Sequence, residues 1–166
     1  MITDRALRLR KEVEACRNSF WYFATRYGKI SDINGKVVRL VPLEAQREII
    51  SSLNQNNNVM ILKARKLGSS TIIALYFLWK VLFWRNTRCA VVAHDDKSAE
   101  EIFEIYKFAY RNLPVEFQVP LVKTRSDEMR FKTGSQIKVG TADSERWRSQ
   151  TYQYIHASEY AFWKDP

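Results

Sequence analysis

Apolar residues recur along this chain with a helical period in some segments and as short continuous runs in others. Residues 4–15 and 18–27 read as helices. In the second, Phe20, Phe23, Ala24 and Tyr27 share a face at i, i+3, i+4, i+7 spacing, and Gly28 stops it. Asn34-Gly35 marks a turn before a strand-like run, Val37 to Val41. Pro42 opens a helix carrying Leu43, Gln46, Ile49, Ile50 and Leu53, and the Asn-rich stretch Asn54 to Asn58 ends it.

From residue 59 strands and helices alternate. Val59-Met60-Ile61-Leu62 has the continuous apolar pattern of a strand covered on both faces. A polar loop leads into an apolar helix from Thr71 to Trp84, and Cys89 to Ala93 is a second buried strand. Asp96 or Ser98 caps the next helix, with Ile102, Ile105, Tyr106 and Ala109 on one face. After an irregular stretch from Pro114 to Pro120, Met129–Lys132 and Gln136–Val139 read as short strands joined at Thr133-Gly134-Ser135. Tyr152 to Ala157 is the last strand, with Ser158-Glu159 at its carboxyl end. The alternation predicts an α/β fold, a mostly parallel sheet flanked by helices. Ligands of such sheets sit beyond the carboxyl ends of the strands, so chemistry is expected after Leu62 and after Ala157.

Composition narrows the class. The chain has 166 residues, 46% hydrophobic and 27% charged, enough for one globular core and unlike a disordered segment. A formal charge of +9 makes an anionic partner plausible, nucleic acid first and a membrane surface second. Between Lys123 and Arg148 seven cations face four acids, a surplus that suits DNA phosphates and equally a solvated face. Cys16 and Cys89 form no CxxC and have no histidine at zinc-ligand spacing, so both read as reduced thiols. The longest apolar run, Ile72 to Trp84, contains Lys80 and is shorter than the roughly 20 residues that cross a bilayer. The charged start, MITDRALRLRKEVEACR, is no secretory signal.

The segment Lys63-Ala64-Arg65-Lys66-Leu67-Gly68-Ser69-Ser70-Thr71 lies between a strand and a helix, where a phosphate-binding loop belongs. Such loops aim backbone N–H groups at phosphate oxygens, with a lysine adding charge and a hydroxyl coordinating Mg²⁺. Against G-x-x-x-x-G-K-[ST], Gly68 fills the second glycine and Ser70 the hydroxyl. Lys63 stands at the first glycine and Ser69 at the lysine, so the strict pattern fails. The competing reading is a basic turn in which Gly68 bends the chain and a serine caps the helix. Three cations at a helix N-terminus oppose the dipole by up to about 1 kcal/mol each unless an anion binds there.

These residues resemble the large terminase subunits of tailed phages. K-A-R-K-L-G-S-S-T looks like that family's deviant Walker A, and Pro42-Leu43-Glu44-Ala45-Gln46 like its adenine-recognising glutamine motif. Arg148-Ser149-Gln150-Thr151 followed by Ile155 to Trp163 looks like its Walker B region, with Ser158 where an aspartate is usual. The aromatic helix with Phe20, Trp21 and Phe23 adds to the likeness, which spans residues 20–163. The resemblance implies a P-loop NTPase core of ASCE/RecA-like type. Residues 1–36 would be a helical lead-in and 37–166 a partial ATPase domain, incomplete at the C-terminus and without its nuclease domain. It implies ATP and Mg²⁺ as ligands. Gln46 would read adenine, and Lys63 and Arg65 would contact the β- and γ-phosphates within a loop running from Lys63 through Ala64, Lys66, Leu67, Gly68 and Ser69 to Thr71. Ser70 and Ser158 would serve Mg²⁺, and Glu159 would be the general base, with Arg65 stabilising charge. Double-stranded DNA, a portal protein, a small terminase subunit and a homo-oligomeric ring would be the partners, in the host cytoplasm and away from membranes. A helicase-like motor and a catalytically inert nucleic-acid-binding module are the alternatives. Hydrolysis by this piece alone is expected to be weak.

Overall fold

A computed structural model describes residues 4–62, 67–143, 147 and 150–163. Two helices open the chain, α1 (Asp4–Asn18) and α2 (Phe20–Tyr27). Ser19 separates them because its hydroxyl accepts from the Tyr22 amide at 3.2 Å and caps α2. A small hairpin follows, β1 (Lys29–Ser31) antiparallel to β2 (Val37–Arg39). Its turn is fixed by the Asp32 carboxylate, which accepts from the amides of Asn34 (2.9 Å) and Lys36 (2.8 Å). Then come α3 (Glu44–Gln55), α4 (Ser69–Phe83), β3 (Arg88–Ala93) and α5 (Asp96–Arg111). The chain closes with β4 (Leu121–Thr124), β5 (Glu128–Phe131), β6 (Gln136–Thr141) and β7 (Tyr154–Ala157).

The expected mostly parallel sheet of a P-loop, ASCE/RecA-like core is not what forms. The five strands lie in the order β4-β5-β6-β3-β7. Among the described residues only β6–β3 and β3–β7 pair parallel, whereas β4–β5, β5–β6 and the separate β1–β2 hairpin are antiparallel. The reason is connection length. The links between β4 and β5 and between β5 and β6 are tight turns, and a tight turn can only return the chain antiparallel. Val59 to Leu62 is not a strand either. It runs against α3 with Met60 and Leu62 almost fully exposed, and a backbone with no neighbouring strand has no ladder to join.

Helix α4 is the centre of the core. Eleven of its residues are buried, which accounts for an apolar run without amphipathic spacing. Phe20 packs on Tyr76 and Trp79 from one side, and Phe23 on Phe83. The Trp79 indole N–H donates to the Cys16 carbonyl at 2.8 Å, tying α1 to α4. Lys80 interrupts the run without disrupting the packing, because its ammonium lies 4.9–5.4 Å from the rings of Tyr76, Trp79, Trp84 and Tyr154. Burial lowers its pKa. Among the described residues no helix is long and apolar enough to cross a membrane.

Candidate functional site at one end of the sheet

Three parallel strands end together. The register pairs Val92 with Gly140 and Ala93 with Thr141 on one side of β3, and Val92 with Ala157 on the other. The Ser158 amide extends this ladder by donating to the Val92 carbonyl at 2.8 Å. His94-Asp95 and Ser158-Glu159 therefore emerge side by side. Helix α4 ends where β3 is about to begin, anchored by Ser135, whose hydroxyl donates to the Trp84 carbonyl at 2.7 Å. Its middle residue Phe77 packs against Tyr154 and His156 of β7. The helix thus runs counter to β3 and β7, and its first turn lies toward the end where those strands finish.

That first turn is built around Gly68, which precedes α4 in the left-handed conformation, φ 65° and ψ 25°. A Cβ there would be strained by the left-handed backbone and would come within 2.7 Å of the Gln46 side-chain nitrogen, displacing it. Gly68, the N-cap of α4, has no side chain to bond its leading amides, and among the described residues no side-chain cap is made. Its leading amides are the kind of donors that anions take at helix starts. Ser69 is buried, and Leu67, Ser70 and Thr71 are half-buried. Lys63, Ala64, Arg65 and Lys66 lie outside the described residues, as do Arg148 and Ser149.

Gln46 reaches back to the Gly68 turn. Its buried amide donates to the carbonyls of Leu67 (3.4 Å) and Gly68 (3.2 Å), and its oxygen accepts from the Leu43 amide (3.1 Å). Both ends of the amide bond the protein's own backbone, so Gln46 braces the turn.

At the other strand tip, Glu159 has φ 54° and ψ 41°. Among the described non-glycine residues only Asn86 shares a positive φ. Asparagine tolerates this region and glutamate does so poorly, so Glu159 is held against roughly 1 kcal/mol or more of backbone strain. Its carbonyl accepts from the Phe162 amide at 2.9 Å, and the Trp163 indole donates to the Ser158 carbonyl at 3.2 Å. These bonds curl the chain back and leave the Glu159 carboxylate half exposed. One of its oxygens is 3.1 Å from His94 Nδ1, while His94 Nε2 is 3.0 Å from Asp95. The Nδ1 contact is one of proximity, since that buried nitrogen has no partner at hydrogen-bond angle. Asp95 also caps α5, accepting from the Ser98 amide at 2.7 Å, and that bond holds its carboxyl below the usual range. The capping residue is thus Asp95 rather than Asp96 or Ser98.

His94 was not among the residues singled out from the sequence. The signal was present, since it directly follows the buried run Cys89 to Ala93 and so stands at a strand's carboxyl end.

No family model matches this chain.

Among the described residues no group of three or more His, Cys, Asp or Glu side chains could hold a metal ion. Mg²⁺ bound to a nucleotide keeps several waters and takes only one or two protein oxygens beside the phosphates, so the hydroxyls of Ser70 and Ser158 suffice in kind. A cavity of about 260 Å³ opens beyond Thr71, floored by Leu75, Ile105 and Phe108. Lys29, Glu101 and Glu104 also line it, so both signs of charge face this cavity.

Proposed function

We propose that this chain binds Mg-ATP at the Gly68 turn and hydrolyses it, as the ATPase part of a phage large terminase that drives double-stranded DNA into a procapsid. The observation that carries the reading is an uncapped helix start with a left-handed glycine, at the sheet end where a strained carboxylate, Glu159, also emerges. Phosphoryl transfer needs chiefly positioning and charge stabilisation, and these two features supply the ends of such a site. The amides of the α4 first turn, with Lys63 and Arg65, hold the phosphates. Ser70 and Ser158 hold Mg²⁺, which would neutralise charge on the phosphate oxygens. Glu159 accepts a proton from the attacking water. Release of Gln46 from the Leu67 and Gly68 carbonyls would free its amide for the adenine edge. The net charge of +9 suits DNA. A ring of copies, a portal protein and a small terminase subunit in the host cytoplasm belong to the same reading.

One observation favours an inert nucleic-acid-binding module: Gln46 spends its whole amide on the protein's own turn, as a purely structural residue would. Mg-ATP titration separates the two. Saturation at a hundredfold excess over the dissociation constant should stabilise the protein by about 2.7 kcal/mol. Lys63→Ala should weaken that binding, and Glu159→Gln should stop turnover while leaving it intact. No melting shift with Mg-ATP favours the inert module, and DNA-stimulated turnover with strand separation favours a helicase.

A further inference from the structure

We propose that His94 is a positioning residue for Glu159: its imidazole, carrying an N–H on each ring nitrogen, bridges two carboxylates and fixes where the Glu159 carboxylate points. The inference rests on the hydrolytic reading above and extends it to a residue of another strand.

Three observations converge on it. The ladder brings His94 level with Glu159, because Val92 pairs with Ala157 and the Ser158 amide bonds to the Val92 carbonyl. His94 is itself fixed from two sides. Asp95 lies 3.0 Å from Nε2, and the Phe162 ring stacks at 6.0 Å, tilted by 47°. Nδ1 is buried and lies 3.1 Å from the Glu159 carboxylate without completing a hydrogen bond. A buried ring nitrogen left without a well-aligned partner carries a desolvation cost that structures rarely retain without a use. Here a small rotation of the half-exposed Glu159 side chain completes the bond. Catalytic hydrogen bonds are often long or poorly aligned before substrate binds and tighten afterwards.

The strain at Glu159 fits the same role. A left-handed backbone aims the carboxylate back toward β3 rather than along the continuation of β7, and such strain persists only where neighbouring contacts over-determine it. Asp95, His94 and Glu159 thus form a chain of supports, in which the α5 cap orients the imidazole and the imidazole orients the carboxylate. A group that must align a water within a few tenths of an ångström gains from such a second support.

Two measurements on the full chain test this. The first needs no nucleotide. The chain has two histidines, His94 and His156, so the imidazole nitrogen spectrum of H94Q assigns both. Glu159→Gln should shift the His94 resonances and leave those of His156 in place; an unchanged His94 pair overturns the contact. The second is steady-state ATP hydrolysis. His94→Ala should lower kcat by about 10- to 100-fold, the range expected when an outer support is removed, with KM and melting temperature nearly unchanged. H94Q, whose amide can still donate to the carboxylate, should recover most of the rate. Full turnover in His94→Ala, or a loss that H94Q does not rescue, sinks the positioning role while the hydrolytic reading stands. Absence of both Mg-ATP binding and turnover in the wild type removes the reading on which it rests.

Discussion

Gly68→Ala tests the physical account of the turn most directly. An alanine at φ 65° pays roughly 1–2 kcal/mol for the left-handed backbone. Its methyl would also meet the Gln46 side-chain nitrogen at 2.7 Å. That amide can move, but moving it breaks the bonds to the Leu67 and Gly68 carbonyls inside a buried environment. Losing such bonds costs about 1 kcal/mol in net terms and up to about 3 kcal/mol if the amide stays buried and unpaired. The sum is about 2–5 kcal/mol. At a few degrees per kcal/mol for a chain of this size, the melting temperature should fall by about 5–15 °C. Urea denaturation of wild type, Gly68→Ala, Gln46→Ala and the double variant separates the two contributions. With Gln46 shortened, only the backbone cost of about 1–2 kcal/mol should remain for Gly68→Ala, leaving a coupling of about 1–3 kcal/mol. Equal losses in both backgrounds would refute the claim that Gln46 braces this turn.

Two further outcomes follow from buried and hydrogen-bonded groups. Burial pushes the Cys16 thiol up to about 12 and raises the Cys89 thiol as well. Neither should react with a disulfide reagent at pH near 8 in the folded protein, and both should react in denaturant; fast native-state labelling would contradict the packing of α1 and β3. Glu12 is held below its ordinary value by the Tyr27 hydroxyl, with Tyr22 and Arg26 adding to the effect, and Asp95 by the Ser98 amide. A carboxyl with a depressed folded-state pKa stabilises above its unfolded value and loses that contribution as pH falls through the folded one. Stability should therefore drop as pH falls below about 4.5, and less steeply in Glu12→Gln/Asp95→Asn; identical acid limbs by chemical denaturation would exclude these two groups as its source.

Periodicity along the chain specifies α2 and α5, because a helix depends on residues three and four apart, while α4 is legible as an apolar run too long for a strand. The stop at Gly28, the turn at Gly35 and the Thr133-Gly134-Ser135 turn are local in the same sense. The candidate residues Ser158 and Glu159 also follow from a local rule, that polar residues after a strand mark its working end, and Gly68 and Ser70 from the spacing of a phosphate-loop pattern. What a strand pairs with is not local. The sequence reads Val59 to Leu62 as a strand because its side chains suit one, but a strand exists only when another backbone meets it. The short β1 and β4 lack a strong apolar signature and are strands only through their neighbours. The hairpin turn between β5 and β6 already argued for an antiparallel pair, and the alternation of strands with helices earlier in the chain outweighed it in the expectation of a mostly parallel sheet. Gln46 and His94 make the same point at the site. The carbonyls that Gln46 donates to are 21 and 22 residues away in sequence, and the carboxylate beside His94 Nδ1 comes from the end of a different strand. Only the folded chain, by closing those loops, decides that one braces the glycine turn and the other stands beside the carboxylate.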